Sequence, residues 1–381
     1  MGMFGKKETE PTGLIGIDVG AGGIKAVELL PEKGRLRLGS YGYSEMKNPE
    51  KEHKALLDDP KTGAAVLTRI LKDAGIKSTK VNASLPSHSV FHAIITVPQP
   101  KDDKEELKPL IETQVRKLLP VPLEEMILDT TVIDKHLLPK KKAPDDKSKN
   151  KSKEKKAPAL PGKVEARKNI RVLVSGAPKT LVNKYVEMFK LSKLQLTSLE
   201  TEAFALIRSL IGKDKARIMI VDIGYERTNI TLVHEGIPFL HRSIKAGGAT
   251  VTAMMAKQMG ISAPEAEQMK LDLAQQPGGE LPPVLKEAMM PILHEVKYSL
   301  SLYAQQEFHD HADVEKIIVT GGSARLPQID SFLKDALDIN VYLGDPWARI
   351  AAPSGLRPVL DEIGPRFSVA LGLAMKDSAK K

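Results

Sequence analysis

The stretch Gly13-Leu-Ile-Gly-Ile-Asp18-Val-Gly20-Ala-Gly22-Gly23-Ile-Lys25-Ala-Val-Glu-Leu29 is the most informative in the chain. Apolar, β-favouring residues run up to Asp18, turn through glycines and resume at Ile24. A second turn at Pro31-Glu-Lys-Gly34 leads into an alternating segment, Arg35 to Tyr43. The pattern predicts three antiparallel strands, where a dinucleotide-binding unit needs a helix after the first strand. The glycine run also gives G-x-G-x-x-Lys, not G-x-G-x-x-G, and no G-x-x-x-x-G-K-[ST] occurs anywhere.

The same pattern returns as Ile218-Met-Ile-Val-Asp222-Ile-Gly224-Tyr-Glu-Arg-Thr228-Asn-Ile-Thr-Leu-Val233. In both copies an aspartate ends an apolar strand and a glycine turn follows. A carboxylate in that position is costly to bury unpaired, so Asp18 and Asp222 are expected to face a cleft, a cation or a fixed partner. Clustered backbone N–H groups at glycine turns suit phosphate oxygens. A third such turn, Gly321-Gly322, follows the apolar run Glu315 to Thr320. Two carboxylates across a cleft suit a hydrated Mg²⁺ bridging nucleotide phosphates.

Composition excludes several alternatives. There is no cysteine, so disulfides and thiolate chemistry are absent. Aromatic residues are 4% with one tryptophan, too few for a base-stacking platform, and no nucleic-acid partner is expected. No apolar run approaches the roughly 20 residues of a membrane span, and Met1 to Lys7 is basic with no apolar stretch behind it. The net charge is +9, but Pro139 to Lys168 holds twelve basic residues against four acidic ones, so nearly all of it lies in that one low-complexity insert. Such a segment buries too little apolar surface to order itself and is expected to be a disordered loop. His309-Asp-His311 is expected at a helix end, because i and i+2 residues point apart.

Elsewhere periodicity predicts a helix over Thr62 to Ala74 buried through Ala65, Leu67, Ile70, Leu71 and Ala74. Strands follow at 80–85 and 90–97, a helix at 102–119, strands at 126–134 and 170–175, and a helix at 178–191 burying Leu181, Val182, Tyr185, Val186 and Phe189. Helices are expected at 201–211, 249–259, 264–274, 326–337 and 367–375, with a strand at 340–343. A long helix from Pro282 to about Phe308 should kink or break at Pro291.

Taken together these motifs resemble those of the actin/Hsp70/sugar-kinase superfamily: Asp18-Val-Gly20 with Lys25 as first phosphate motif, Asp222 to Thr228 as second, and Ile317 to Pro327 as adenosine motif. Within it the chain is most similar to the PilM family of type IV pilus assembly, itself like the division protein FtsA. The likeness is carried also by Leu118 to Met126, Glu200 to Leu206, Ala246 to Gly248, Glu265 to Lys270 and Phe367 to Ala374.

The resemblance implies an α/β chain with a duplicated ribonuclease H-like fold in two lobes and an FtsA/PilM-type subdomain inserted in the first. Residues 12–84, 192–213 and 345–376 would form the first lobe core, and 85–191 the inserted subdomain. Residues 214–247 and 312–344 would form the second lobe core, 248–311 its helical subdomain, and 1–11 and 377–381 short tails. ATP and Mg²⁺ are the implied ligands. Asp18 and Asp222 would hold the metal through water. Gly20, Gly22, Lys25, Gly224 and Thr228 would line the phosphates, with Gly247 and Gly248 in the same set. Glu267 and Lys270 would meet ribose and base, Gly321, Gly322 and Arg325 would border the adenosine, and Glu202 would orient an attacking water or tie two helices together.

One departure bears on turnover. The first turn usually carries hydroxyls after its first glycine, and here it reads Ala21-Gly22-Gly23. Nucleotide binding with at most slow hydrolysis is the expectation. The resemblance further implies a cytoplasmic adaptor recruited to the inner face of the inner membrane through partners. Those partners are the N-terminal segment of a PilN-like membrane protein, received around Val90 to Leu119, the pilus motor ATPases, and a further copy of the chain by self-association. An FtsA-like division protein and a small-molecule kinase are the alternatives. The first would carry a C-terminal amphipathic helix where this chain reads Lys376-Asp-Ser-Ala-Lys-Lys381, and for the second no acceptor-binding constellation is recognisable.

Overall fold

The computed structural model describes residues 13–44, 56–100, 107–134, 168–275, 281–305 and 313–376. The basic insert up to Arg167, both tails and the His309-Asp-His311 cluster lie outside them. The chain forms two compact units, Met1–Val90 with Thr180–Lys381, and Phe91–Lys179.

The larger unit contains the same sheet twice. Strands β1 (Leu14–Gly20), β2 (Gly23–Glu32) and β3 (Arg35–Tyr43) form an antiparallel meander. β4 (Lys80–Leu85) and β8 (Gln195–Thr201) join it in parallel, giving the order β3-β2-β1-β4-β8. β9 (Ile218–Ile223), β10 (Thr228–His234), β11 (Ile237–Ile244), β12 (Lys316–Thr320) and β13 (Asn340–Leu343) repeat that order and those senses as β11-β10-β9-β12-β13. The two sheets give this unit two lobes. In the first, the connection between the parallel strands β4 and β8 runs through the smaller unit. In the second, the helices α5 (Gly248–Met259), α6 (Ala263–Gln275) and α7 (Pro283–Ala304) fill the path from β11 to β12.

Helix α9 (Arg357–Ala374) packs on β1, β2 and β4 and on the short helix α4 (Glu202–Leu206), which continues as a π-turn over Ile207–Ile211. Two glycines make that packing close. A Cβ on Gly16 would collide with the Ala370 carbonyl, and one on Gly372 with the Ala205 carbonyl. Ala205, Leu206, Ile218, Ile220 and Leu373 share one core cluster, so α4 and α9 tie the two sheets together. A second cluster joins Val27, Leu29, Trp347, Leu360 and Phe367.

The smaller unit has β5 (Phe91–Pro98), β7 (Asn169–Pro178) and β6 (Met126–Val132) in one antiparallel sheet, with α2 (Leu107–Val115) placing Ile111 and Val115 against Ile95, Val97, Val172 and Val174.

Several expectations need correction. Helix α1 (Pro60–Asp73) buries Ala64, not Ala65, because Gly63, Ala64 and Leu67 form the inner stripe. Helix α3 (Lys179–Leu191) buries Met188 and leaves Val186 exposed. β8 and β11 had no distinct signal, since their alternation is weak and half-buried. Helix α7 runs unbroken through Pro291, with the lost N–H offset by the burial of Ala288, Met289, Ile292 and Leu293. Helix α9 begins ten residues earlier than expected and holds Pro365 inside it.

Candidate functional site

The first hairpin ends in a two-residue loop, with Gly20 opposite Gly23 and Asp18 opposite Lys25. Gly23 has φ +121°, a conformation that an L side chain resists. Asp18 is buried, its Oδ2 lies 3.7 Å from Lys25 Nζ, and Ser84 Oγ donates to its Oδ1 at 3.1 Å.

The second hairpin places Asp222 opposite Asn229 and Ile223 opposite Thr228. Its turn is closed by the Gly224 N–H donating to Arg227 O at 2.9 Å. The N-terminus of α5 packs directly on this turn. The Gly248 N–H donates to Gly224 O at 3.0 Å and the Ala249 N–H to Tyr225 O at 2.8 Å. A Cβ on Gly247 would lie 2.7 Å from both of those carbonyls, so a larger residue would push helix and turn apart.

The two turns and the third glycine motif converge. A Cβ on Gly22 would come within 2.9 Å of Tyr225 Cβ, so the tips of the two hairpins face each other. Thr320 is the register partner of Asp222 on the neighbouring strand, and Gly321 follows with φ +94°. A Cβ there would sit 2.5 Å from Asp222 Oδ1. Gly321, Gly322 and Arg325 then line a pocket together with Leu271, Ala274 and Arg366. Arg325 Nη1 is held by Asp361 O at 2.6 Å.

Glu202 opens α4 immediately after β8. Its Oε2 accepts two N–H groups from different parts of the fold, the Ser87 main chain at 3.1 Å and Asn229 Nδ2 at 3.1 Å. Burial first, then the charges of Asp18 and Asp222, push its carboxyl up to about 8. Burial and the Asp18 charge push Asp222 up to about 7, with Lys25 only partly compensating. Asp18 and Asp222 thus share one lysine, and Glu202 feels both of their charges.

Such a site suits a hard divalent cation, because every charged donor is oxygen. No group of three His, Cys, Asp or Glu side chains is close enough to ligate one ion directly among the described residues. The residues therefore fit a cation that keeps its waters between itself and Asp18 and Asp222.

Three expected contacts are spent inside the protein. The Thr228 hydroxyl is fully buried and donates to Ala246 O at 2.7 Å, so it braces the turn from behind. Lys270 is buried, and its Nζ donates to Glu267 Oε2 at 2.6 Å, Thr252 Oγ1 at 2.9 Å and Gly248 O at 3.2 Å. Lys270 and Glu267 thereby clamp α6 to the start of α5. Ser84, Ser87 and Asn229, which sequence alone did not single out, are drawn to the carboxylates. Pairing register is the only signal for Asn229, since it takes the place across from Asp222 that Lys25 takes across from Asp18.

The family model for the type IV pilus assembly protein PilM matches residues 16–149 and 160–378. The chain belongs to the PilM family. A solved PilM–PilN type IV pilus biogenesis complex contains a chain of 21% identity, with 96% of this chain and 98% of that one covered at a TM-score of 0.75. This PilM family member is also similar to the ethanolamine utilization protein EutJ of Carboxydothermus hydrogenoformans, at 15% identity, 96% and 89% coverage and a TM-score of 0.55. MreB5 of Spiroplasma citri, solved bound to ADP, is similar at 13% identity, 97% coverage of both chains and a TM-score of 0.53. These likenesses show an actin-like fold of two lobes, as the repeated sheets already indicate. No helix among the described residues is long and apolar enough to cross a membrane.

Proposed function

We propose that this type IV pilus assembly protein is an ATP-binding adaptor whose nucleotide occupies the cleft between the two hairpins. The observation that carries the reading is the convergence of Asp18, Asp222 and Glu202 beneath three glycine turns, two of which face each other through Gly22 and Tyr225. The ADP-bound state of the MreB5 relative supports it.

In this reading Mg²⁺ would supply positive charge to offset the phosphates while keeping its own waters. Asp18 and Asp222 would accept hydrogen bonds from those waters, and Lys25 would hold the adjacent negative charge. The glycines at 20, 22, 224, 321 and 322 would leave room for the phosphates to approach the backbone, and the pocket beside Arg325 and Leu271 would receive the adenosine. Nucleotide draws the lobes together only as far as it binds the closed arrangement better than the open one.

The partner is the N-terminal cytoplasmic segment of a PilN-like inner-membrane protein, as the relative solved in complex with PilN suggests. Residues 90–119 are the proposed receiving region, and apolar side chains there and just beyond, Leu118 and Val121, are exposed. Nucleotide state is passed through this contact to the pilus motor, and the protein is held at the inner face of the membrane by its partners. Calorimetric titration with Mg-ATP, with and without a PilN-like peptide, tests both halves against an Asp222→Ala control. Peptide affinity that changes with nucleotide supports the adaptor reading. ATP binding without peptide binding removes the partner assignment, and a folded protein that binds neither removes the cleft assignment.

A further inference from the structure

A regular helix bonds each N–H to the carbonyl four residues earlier. A proline inside it leaves that carbonyl without a helical donor, and the proline ring pushes the same carbonyl outward. Pro365 stands inside α9, so the orphaned acceptor is Asp361 O. Its donor comes from another part of the fold: Arg325 Nη1 donates to it at 2.6 Å. Arg325 belongs to the turn that follows β12 of the second sheet, whereas α9 packs on the first sheet.

Neighbouring groups repeat this connection. Pro365 O accepts the Gly321 N–H at 3.1 Å and the Thr320 hydroxyl at 3.0 Å. Ser368 Oγ, further along α9, lies 2.7 Å from Thr320 Oγ1. One turn of α9, from Asp361 to Pro365, thus receives three donors from residues 320–325. The joined segments are also the walls of one pocket. Gly321, Gly322 and Arg325 line it from the turn, and Glu362, Pro365 and Arg366 line it from the helix.

We propose that Pro365 is a positioning residue for the nucleotide and acts through Arg325. The proposal rests on the nucleotide reading above. A long side chain that must be ordered when a ligand arrives costs affinity, and a guanidinium already fixed to a main-chain carbonyl loses that freedom on folding instead. A neutral carbonyl also holds the guanidinium without cancelling its charge, so the charge stays at the pocket that Arg325 lines. Any other residue at 365 restores the helical N–H and removes the ring. Asp361 O then turns back along the helix, and Arg325 loses its fixed acceptor.

Pro365→Ala and Pro365→Val both supply that N–H, and the second keeps most of the buried volume should the first not fold. The test combines crystal structures of these variants with Mg-ADP titrations, each repeated in an Arg325→Ala background. Arg325 Nη1 is expected to leave Asp361 O in the variants. Mg-ADP should bind roughly three- to tenfold more weakly, the effect of ordering one long side chain. In the Arg325→Ala background the change at 365 should alter affinity by less than about twofold, because the residue it acts through is gone. A proline that is merely structural gives the same loss in both backgrounds, and that result overturns the positioning role. Arg325 keeping its bond to Asp361 O in the variants overturns it too, as does release of Arg325 with Mg-ADP affinity unchanged. The wild-type titration reads the nucleotide proposal separately. No Mg-ADP binding there removes that proposal, and the crystal structures alone then decide whether Pro365 fixes Arg325.

Discussion

Asn229 sits where Lys25 sits: each lies directly across its hairpin from an aspartate, Lys25 from Asp18 and Asn229 from Asp222. The duplication therefore keeps the carboxylate and changes its partner. In the first copy a cation at 3.7 Å offsets the charge. In the second an amide turns away to Glu202 at 3.1 Å, and Asp222 is left less compensated. Burial and then the Asp18 charge push Asp222 up to about 7, Lys25 only partly offsets them, and no cation stands across the hairpin to complete the compensation.

Asp222→Asn should separate stability from binding. Removing a buried, poorly compensated charge is expected to raise the stability of the nucleotide-free protein by about 1 kcal/mol. The same change should weaken Mg-ATP binding roughly ten- to a hundredfold, the worth of a hydrogen bond to a charged group. Denaturant melts and calorimetry on one preparation read both.

Stability should fall with pH in the absence of nucleotide. Glu202 and Asp222 hold their protons up to about 8 and about 7, well above their unfolded values. The folded state thus binds more protons than the unfolded chain between about pH 4 and 8, and stability is lost as pH rises through that window. Glu202→Gln should flatten the slope in urea melts taken at several pH values. Mg-ADP binding near pH 7 should release protons, seen as a dependence of the calorimetric enthalpy on buffer ionisation.

Gly321→Ala should damage the site and the fold together. It places a Cβ at φ +94° and against Asp222 Oδ1, for roughly 1–3 kcal/mol of strain. Gly322→Ala, with open space around its Cβ, is the control and should melt like wild type.

Trp347→Ala should cost about 3–5 kcal/mol, because the ring is buried against Phe367 and Leu360 and its Nε1 donates to Leu360 O at 2.7 Å. As the single tryptophan, its fluorescence in the wild type follows unfolding of the larger unit directly.

Ala21→Ser restores a hydroxyl to the first turn at an exposed position. One additional hydrogen bond to phosphate is worth about 1 kcal/mol, so Mg-ATP should bind roughly fivefold tighter, measured by titration. No gain would show that the turn contacts phosphate through its backbone alone.

Much of this molecule was legible in the chain. Asp18-Val-Gly20 and Asp222-Ile-Gly224, each in an apolar strand–turn–strand frame, are local patterns, and local patterns survive without knowledge of neighbours. Hence the meanders and the duplicated fold could be read directly. Helix faces were less secure: Ala64 replaces Ala65 one step away and Met188 replaces Val186 two steps away, choices that only packing against a neighbour resolves. The proline-containing helices α7 and α9 needed their buried faces to offset a missing hydrogen bond.

Side-chain direction was decided by tertiary structure alone. Thr228, Glu267 and Lys270 have the chemistry to meet a nucleotide, yet Ala246 O takes the first, and the other two clamp helix to helix. Conversely Ser87 and Asn229 carry no motif, and they become part of the site because β4 and β10 bring them to Glu202 from opposite lobes. Where the chain turns, and where a carboxylate must find a partner, follow from the residues alone, because turn geometry and the cost of burying an unpaired carboxylate are local. Which polar groups remain free to bind was settled only when distant segments met, because a hydrogen bond is spent on whichever partner the fold brings within 3 Å.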